Sequence, residues 1–252
     1  TVDLIQPPRQ TTPANYLDYQ TRTINVDAPD VYLEEFILGD WRPSSGEDIG
    51  VDLQVERQIG LEVAPPAPGV DVTIEVIDPT VALISTDPTA IGTATVTFPL
   101  VTGTSTPLIY VQGLTLNQGT ELRITAPGYD QWITTVQVVN AGFYISTNDF
   151  TTTVDAANRT VRVYPAALDT IQQVDENQMV RGGTNPSVGI TSSDPAVGAI
   201  TVSPLVFTGA DDYLDTQFDP IAVGTTTISI TQPPGFLPPA GETSITATVT
   251  PA

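Results

Sequence analysis

The 252-residue sequence contains no cysteine, no histidine and no lysine, and only one methionine. Without cysteine there are no disulfides, iron–sulfur clusters or thiolate zinc sites. Without histidine there is no imidazole base and no haem held by its usual axial ligand. Without lysine, a Schiff base, a phosphate-loop lysine and a Lys–Asn isopeptide cross-link are all excluded. The eight cations are arginines: Arg9, Arg22, Arg42, Arg57, Arg123, Arg159, Arg162 and Arg181. No apolar run approaches the roughly 20 residues of a membrane-spanning helix. No secretory leader is visible and the first residue is Thr1, so the expectation is a processed chain or a piece of a longer one.

What remains is carboxylate and hydroxyl chemistry. The 29 acidic residues give a net charge of −21, which repels nucleic acid and anionic membranes, so neither is an expected partner. At 40% hydrophobic residues the chain has enough apolar matter for real cores, and its length suits one large or two ordinary domains. No Gly-rich phosphate loop, nucleophile elbow or metal-ligand spacing occurs, and no carboxylate pair stands out, so no catalytic activity is expected.

The period-two signal of half-buried strands recurs along the chain. In "VDVTIEV" (70 to 76), Val70, Val72, Ile74 and Val76 share one face, with Asp71, Thr73 and Glu75 on the other. The same alternation appears at Val51, Leu53 and Val55, at Val96 and Phe98, at Ile228 and Ile230, and at Ile245, Ala247 and Val249. Threonine fills many outward positions, as suits a β-branched residue with a polar tip. Gly, Pro, Asn and Asp punctuate these runs about every 8 to 12 residues, the spacing of an all-β sandwich. "DVYLEEFILG" (30 to 39) is compatible with a helix, and a strand is the preferred reading.

Internal repeats set the organisation. "VALISTDPTAIGTATVTFPLVTG" (81 to 103) lies beside "VGITSSDPAVGAITVSPLVFTG" (188 to 209), pairing Ser85–Pro88 with Ser192–Pro195. "GTELRITAPGY" (119 to 129) lies beside "GTTTISITQPPGF" (224 to 236), each ending in a Pro-Gly-aromatic turn. The expected fold is therefore all-β: two tandem immunoglobulin-like sandwiches of about 100 residues each, 30–140 and 141–252. "TVDLIQPP" (1 to 8) aligns on "TISITQPP" (227 to 234), and "TINVDAP" (23 to 29) matches "TATVTPA" (246 to 252) within a residue. Residues 1–29 thus read as the closing hairpin of an adjoining module. A lone hairpin is marginally stable. It belongs either to a longer array, the favoured reading, or to a strand donated into a neighbouring chain. Val2, Leu4, Ile24 and Val26 would then make the end-to-end contact.

The runs "VGITSSDPAVGAITVSP", "GTATVTFPLVTGTSTPLIYVQGL", "ITAPGYDQWITTVQVV" and "VRVYPAALD" resemble the tandem bacterial immunoglobulin-like repeats of giant secreted and cell-surface proteins. The resemblance covers residues 20 to 252. It implies a structural role in an extracellular fibre, filament or surface stalk, with copies of the chain as partners end to end. It carries no catalytic residue. The alternative is an adhesin or carbohydrate-binding segment with a glycan partner. Short junctions between modules, Asn140–Phe150 among them, are expected to limit bending.

Five candidate sites follow. Asp211, Asp212, Asp215 and Asp219 in "TGADDYLDTQFDP" (208 to 220) offer oxygen ligands of the kind calcium takes, against the plain alternative of a solvated acidic turn. Asp27, Asp30, Glu34 and Glu35 form a second acidic group, at the entry to the first module. Trp41 and Asp48, in or beside the acidic insertion "GDWRPSSGEDIG" (39 to 50), mark a contact loop. Trp132, Tyr129 and Phe236 read as packing aromatics, with a sugar platform as the functional alternative. Asn158-Arg159-Thr160 is a glycosylation sequon.

Overall fold

The structure is a computed structural model that describes residues 27–37, 40–43, 46–101 and 106–252, with the backbone alone for 35–37 and 40–43. The expected contact residues Val2, Leu4, Ile24 and Val26 lie outside the described residues. The fold is all-β, with no helix among the described residues. Among the described residues no helix is therefore long and apolar enough to cross a membrane.

Among the described residues ten strands come first: β1 (Val31–Ile37), β2 (Asp40–Pro43), β3 (Glu47–Gly50), β4 (Leu53–Leu61), β5 (Val70–Val76), β6 (Ala82–Ser85), β7 (Thr95–Leu100), β8 (Ile109–Gly113), β9 (Gly119–Thr125) and β10 (Trp132–Ile145). Ten more follow: β11 (Phe150–Thr153), β12 (Arg159–Leu168), β13 (Val174–Asn177), β14 (Met179–Val180), β15 (Ser187–Ser192), β16 (Gly198–Ile200), β17 (Leu205–Val206), β18 (Leu214–Pro220), β19 (Gly224–Thr231) and β20 (Ser244–Thr250). Residues 31–37 are a strand, as their apolar pattern suggested, paired antiparallel with β4 and β2.

The first sandwich faces a sheet ordered β2-β1-β4-β8-β6 against strands ordered β3-β10-β9-β5-β7. Its core joins Val31, Leu33, Val55, Ile59, Ile84 and Val111 of one sheet to Ile49, Val72, Ile74, Leu122, Ile124 and Val136 of the other. The second sandwich repeats the scheme. Strands β10-β12-β18-β16 face β11-β20-β19-β15-β17, over Phe143, Val161, Val163 and Phe218 against Val188, Ile190, Ile228 and Ala247. In each sandwich a short strand, β3 or β11, runs parallel to the closing strand while its neighbours pair antiparallel.

Hydrogen bonds correct the repeat alignment. Asp78 and Asp194 each accept the backbone N–H two residues on, from Thr80 at 3.0 Å and Ala196 at 3.1 Å. Each also donates its own N–H to a buried threonine hydroxyl, Asp78 to Thr120 Oγ1 and Asp194 to Thr226 Oγ1, both at 2.9 Å. The segment 192–195 therefore corresponds to 76–79, not to 85–88. The sequence misleads because Asp87-Pro88-Thr89 repeats the same local chemistry nine residues later, with Thr89 N donating to Asp87 Oδ1 at 2.9 Å. The Pro-Gly-aromatic turns do correspond: Tyr129 N donates to Ala126 O and Phe236 N to Pro233 O, each at 3.2 Å. Gly128 and Gly235 take φ of 85° and 93°, the left-handed position such a turn reserves for glycine.

Two predictions arise here. Thr226→Val keeps the shape but leaves the Asp194 N–H without its acceptor, so chemical denaturation should show a loss of about 1 to 2 kcal/mol. The Asp78 and Asp87 carboxyls are held below their ordinary value of 3.8 by hydrogen bonds from Thr80 and Thr89. A depressed carboxyl stabilises the fold above its unfolded pKa, and that contribution is lost as pH falls through the depressed folded value. The acid limb of midpoint against pH, below about pH 4, should therefore be shallower in an Asp78→Asn, Asp87→Asn double variant than in the parent.

Candidate functional site: the joint between the sandwiches

β10 is 14 residues long and belongs to both sandwiches. Its first part pairs with β9 (Trp132 to Gln137) and with β3 (Val136 to Val139), and its second part, Asn140 to Ile145, pairs with β12. The expected boundary at 140/141 thus falls inside one strand. Residues 140 to 145 of the expected junction are strand, not linker, and the segment 140 to 150 contains no proline. What limits bending at this boundary is a hydrogen-bonded strand.

A second element locks the joint. The connection between β12 and β15 reaches back, and β14 adds to the first sandwich by pairing Met179 with Gln54 and Val180 with Leu53. Val180 and Leu53, each fully buried, both pack into the core of the second sandwich. The polar partners are satisfied across the joint. Gln54 Nε2 donates to Pro88 O and to Gly209 O, each at 2.8 Å, while its Oε1 accepts from Gln112 Nε2 at 2.9 Å and Gly182 N at 3.1 Å. Gln112 Nε2 also donates to Ala90 O and its Oε1 accepts from Gly92 N. Gln178 accepts from Gly50 N at 2.9 Å and donates to Asp48 O at 2.7 Å. Buried amides so paired hold one geometry, because an unmade bond here would cost desolvation without return. Glycines at 182 and 209 let the loops close. A Cβ at Gly209 would fall 1.8 Å from Pro88 O, and one at Gly182 would fall 2.2 Å from Ala90 O.

Arg181 completes the clamp. Its N–H donates to Asp52 O at 2.9 Å, and its guanidinium reaches Asp52 Oδ1 from Nη2 at 2.7 Å and from Nε at 3.1 Å. Asp52 sits at φ 59°, as Asp155 does at the matching turn of the second sandwich. The pair is partly exposed, so Arg181→Ala should cost about 1 kcal/mol, less at high salt, measured by denaturant titration at two ionic strengths.

Beside the clamp lies a cleft of about 280 Å³ with walls from both sandwiches. At its edge the Tyr110 hydroxyl donates to Glu56 Oε2 at 3.2 Å, and burial, with the Glu56 charge next, pushes Tyr110 up to about 12. Nearby, Tyr144 stacks on Tyr164 at 5.7 Å, Tyr164 meets Tyr213 at 5.4 Å, and the Arg162 guanidinium lies 3.8 Å over Tyr213.

The expected sites fare unevenly. The four aspartates of 208 to 220 do not converge. Asp211 accepts from the Thr208 N–H and hydroxyl, each at 2.8 Å, and Asp215 takes Arg162 in a two-pronged pair at 2.8 and 2.9 Å. Asp219 lies exposed on β18 opposite Ala199, and Asp212 lines the joint cleft. Among the described residues no group of three carboxylates gathers to hold a metal, and that includes Asp27 and Asp30; the side chain of Glu35 is outside them. Asp30 N instead donates to Glu62 Oε2. Trp41 is placed only by its backbone, on β2 opposite Phe36. The Asp48 carbonyl accepts from Gln178 Nε2 within the chain. Trp132 packs edge-on to Tyr32 at 6.2 Å and Phe236 packs on Phe143 at 4.8 Å, so both aromatics serve packing. Tyr129 donates its hydroxyl to Val63 O. Asn158 is exposed at the start of β12. The glutamines and Arg181 were not foreseen. Gln54 occupies the polar phase between Leu53 and Val55, the phase that reads as facing solvent.

No protein-family profile and no curated protein matches the chain. Among solved structures it is similar to domains 4 and 5 of the S-layer protein SbsC, at 13% identity and a TM-score of 0.33, over 71% of this chain and 76% of that one. It is similar also to domains 4–9 of that protein (16% identity, TM-score 0.33) and to domains 1–6 (13%, TM-score 0.34). In those two it covers 92% and 90% of itself but spans only 33% and 28% of the other chain. Likeness at this level carries no argument about function.

Proposed function

We propose that the chain is a structural segment of an extracellular fibre or surface stalk, built as a stiff pair of immunoglobulin-like sandwiches and joined end to end with further modules or copies. The observation that supports this reading is β10, which serves as closing strand of one sandwich and opening strand of the next without a linker between them. A flexible tether needs solvated, unpaired backbone. Here the backbone is paired through the junction and reinforced by β14. The location follows from the role, outside the cell or at its surface. The outermost strands fit a chain that must not aggregate sideways: β2, β6, β11, β16 and β17 have two to four residues each, and β7 carries Pro99.

Spin labels on Thr97 of β7 and Thr227 of β19, one on each sandwich, test the reading. A single narrow distance distribution is expected in the parent. A broad distribution, of the kind two tethered domains give, would refute the stiff pair.

A further inference from the structure

We propose that the cleft at the joint is a carbohydrate-binding site that takes a neutral oligosaccharide. One wall is β4 of the first sandwich, with Glu56, and β14 beside it, with Met179; the other comes from the second, with Tyr164 of β12, Glu176 and Asn177 of β13, and Asp212. Small-molecule sites favour such interfaces, and about 280 Å³ suits one or two sugar rings of an oligosaccharide, not a folded partner.

The lining selects the class. Three carboxylates (Glu56, Glu176, Asp212) and three carboxamides (Gln54, Asn177, Gln178) line it, with Arg57, whose guanidinium is paired with Glu47, so the lining is rich in hydrogen-bond acceptors, which match vicinal hydroxyls. Tyr164 and Met179 supply the apolar surface on which the C–H face of a sugar ring packs. The rim and a net charge of −21 turn away anionic ligands. The polar walls are unsuited to a lipid.

The groups are held in place before any ligand arrives. Glu56 is fixed by the Tyr110 hydroxyl. The Asn177 carbonyl oxygen accepts from the Tyr144 hydroxyl at 2.8 Å, leaving its NH2 to donate. Tyr164 is wedged between Tyr144 and Tyr213. The Asp212 carboxylate is exposed and has no hydrogen-bond partner among the described residues. Preorganisation of this kind lowers the entropy lost on binding. Because the two walls belong to different sandwiches, an oligosaccharide seated between them also raises the stability of the joint by mass action. The proposal rests on the cleft and holds whether or not the chain builds a fibre.

The test uses the whole chain. Cello-, xylo-, chito-, malto- and laminari-oligosaccharides are titrated by calorimetry, and depletion is measured on the matching insoluble polysaccharides. Saturable binding to at least one is expected, with a rise in thermal midpoint. Asp212→Asn and Asn177→Ala, both at exposed rim positions, should each weaken it about tenfold at unchanged fold stability. Asp194→Asn, on a turn away from the cleft, should leave it intact. Failure of all five sugars overturns the proposal. So does a double rim variant that binds like the parent, or stronger binding of a polyanion such as alginate.

Discussion

Glu47→Ala should lower the stability of the chain by about 3 to 5 kcal/mol, a fall in thermal midpoint of about 6 to 20 °C by calorimetry. Glu47 stands on β3 and Arg57 on β4, so their pair ties the two sheets of the first sandwich together. Their side chains are 1% and 8% exposed. Arg57 Nε donates to Glu47 Oε1 at 2.8 Å, Nη2 meets Oε2, and Nη1 donates to Glu56 O at 2.8 Å. Removing the carboxylate leaves a guanidinium charge in a site with little access to water. The pair itself is a poor source of net stability, because taking both charges out of water offsets their attraction. A Glu47→Leu, Arg57→Met double variant should therefore recover most of the loss. If the single variant is as stable as the parent, the pair is not buried as described.

Gln54→Leu should uncouple the two sandwiches. The parent is expected to unfold in one calorimetric transition, since Leu53 and Val180 of the joint lie in the second core and β10 belongs to both sandwiches. The variant keeps the bulk but strands two carbonyls, from Pro88 and Gly209, and two donors, from Gln112 and Gly182. Buried groups left unpaired cost about 1 to 3 kcal/mol each, with losses that do not simply add. A total of at least about 3 kcal/mol is expected, with the single transition splitting in two. Two transitions in the parent, or an unchanged profile in the variant, would contradict this account.

The strands were legible because their information is local. Val70 to Val76 has the same bounds as β5, and Ile245, Ala247 and Val249 face the core as their alternation required. The number of sandwiches was legible from the two Pro-Gly-aromatic turns. The joint was not. Gln54 and Gln178 act on groups more than 100 positions away in the chain, and period-two patterning cannot distinguish a polar residue facing water from one facing a second module. The separate settings of the four aspartates of 208 to 220 were hidden for a related reason. Closeness in sequence does not decide where carboxylates aim, and Thr208 and Arg162 had already claimed two of them.

The strand common to both sandwiches also decides how the chain bears tension. A pull along β10 runs down a covalent backbone whose ladder bonds to β9, β3 and β12 lie across the direction of the force. They are loaded in shear, many at once, and not peeled one by one. Between these sandwiches there is no slack to take up, so the pair should yield by rupture of a sandwich and not by extension at the seam.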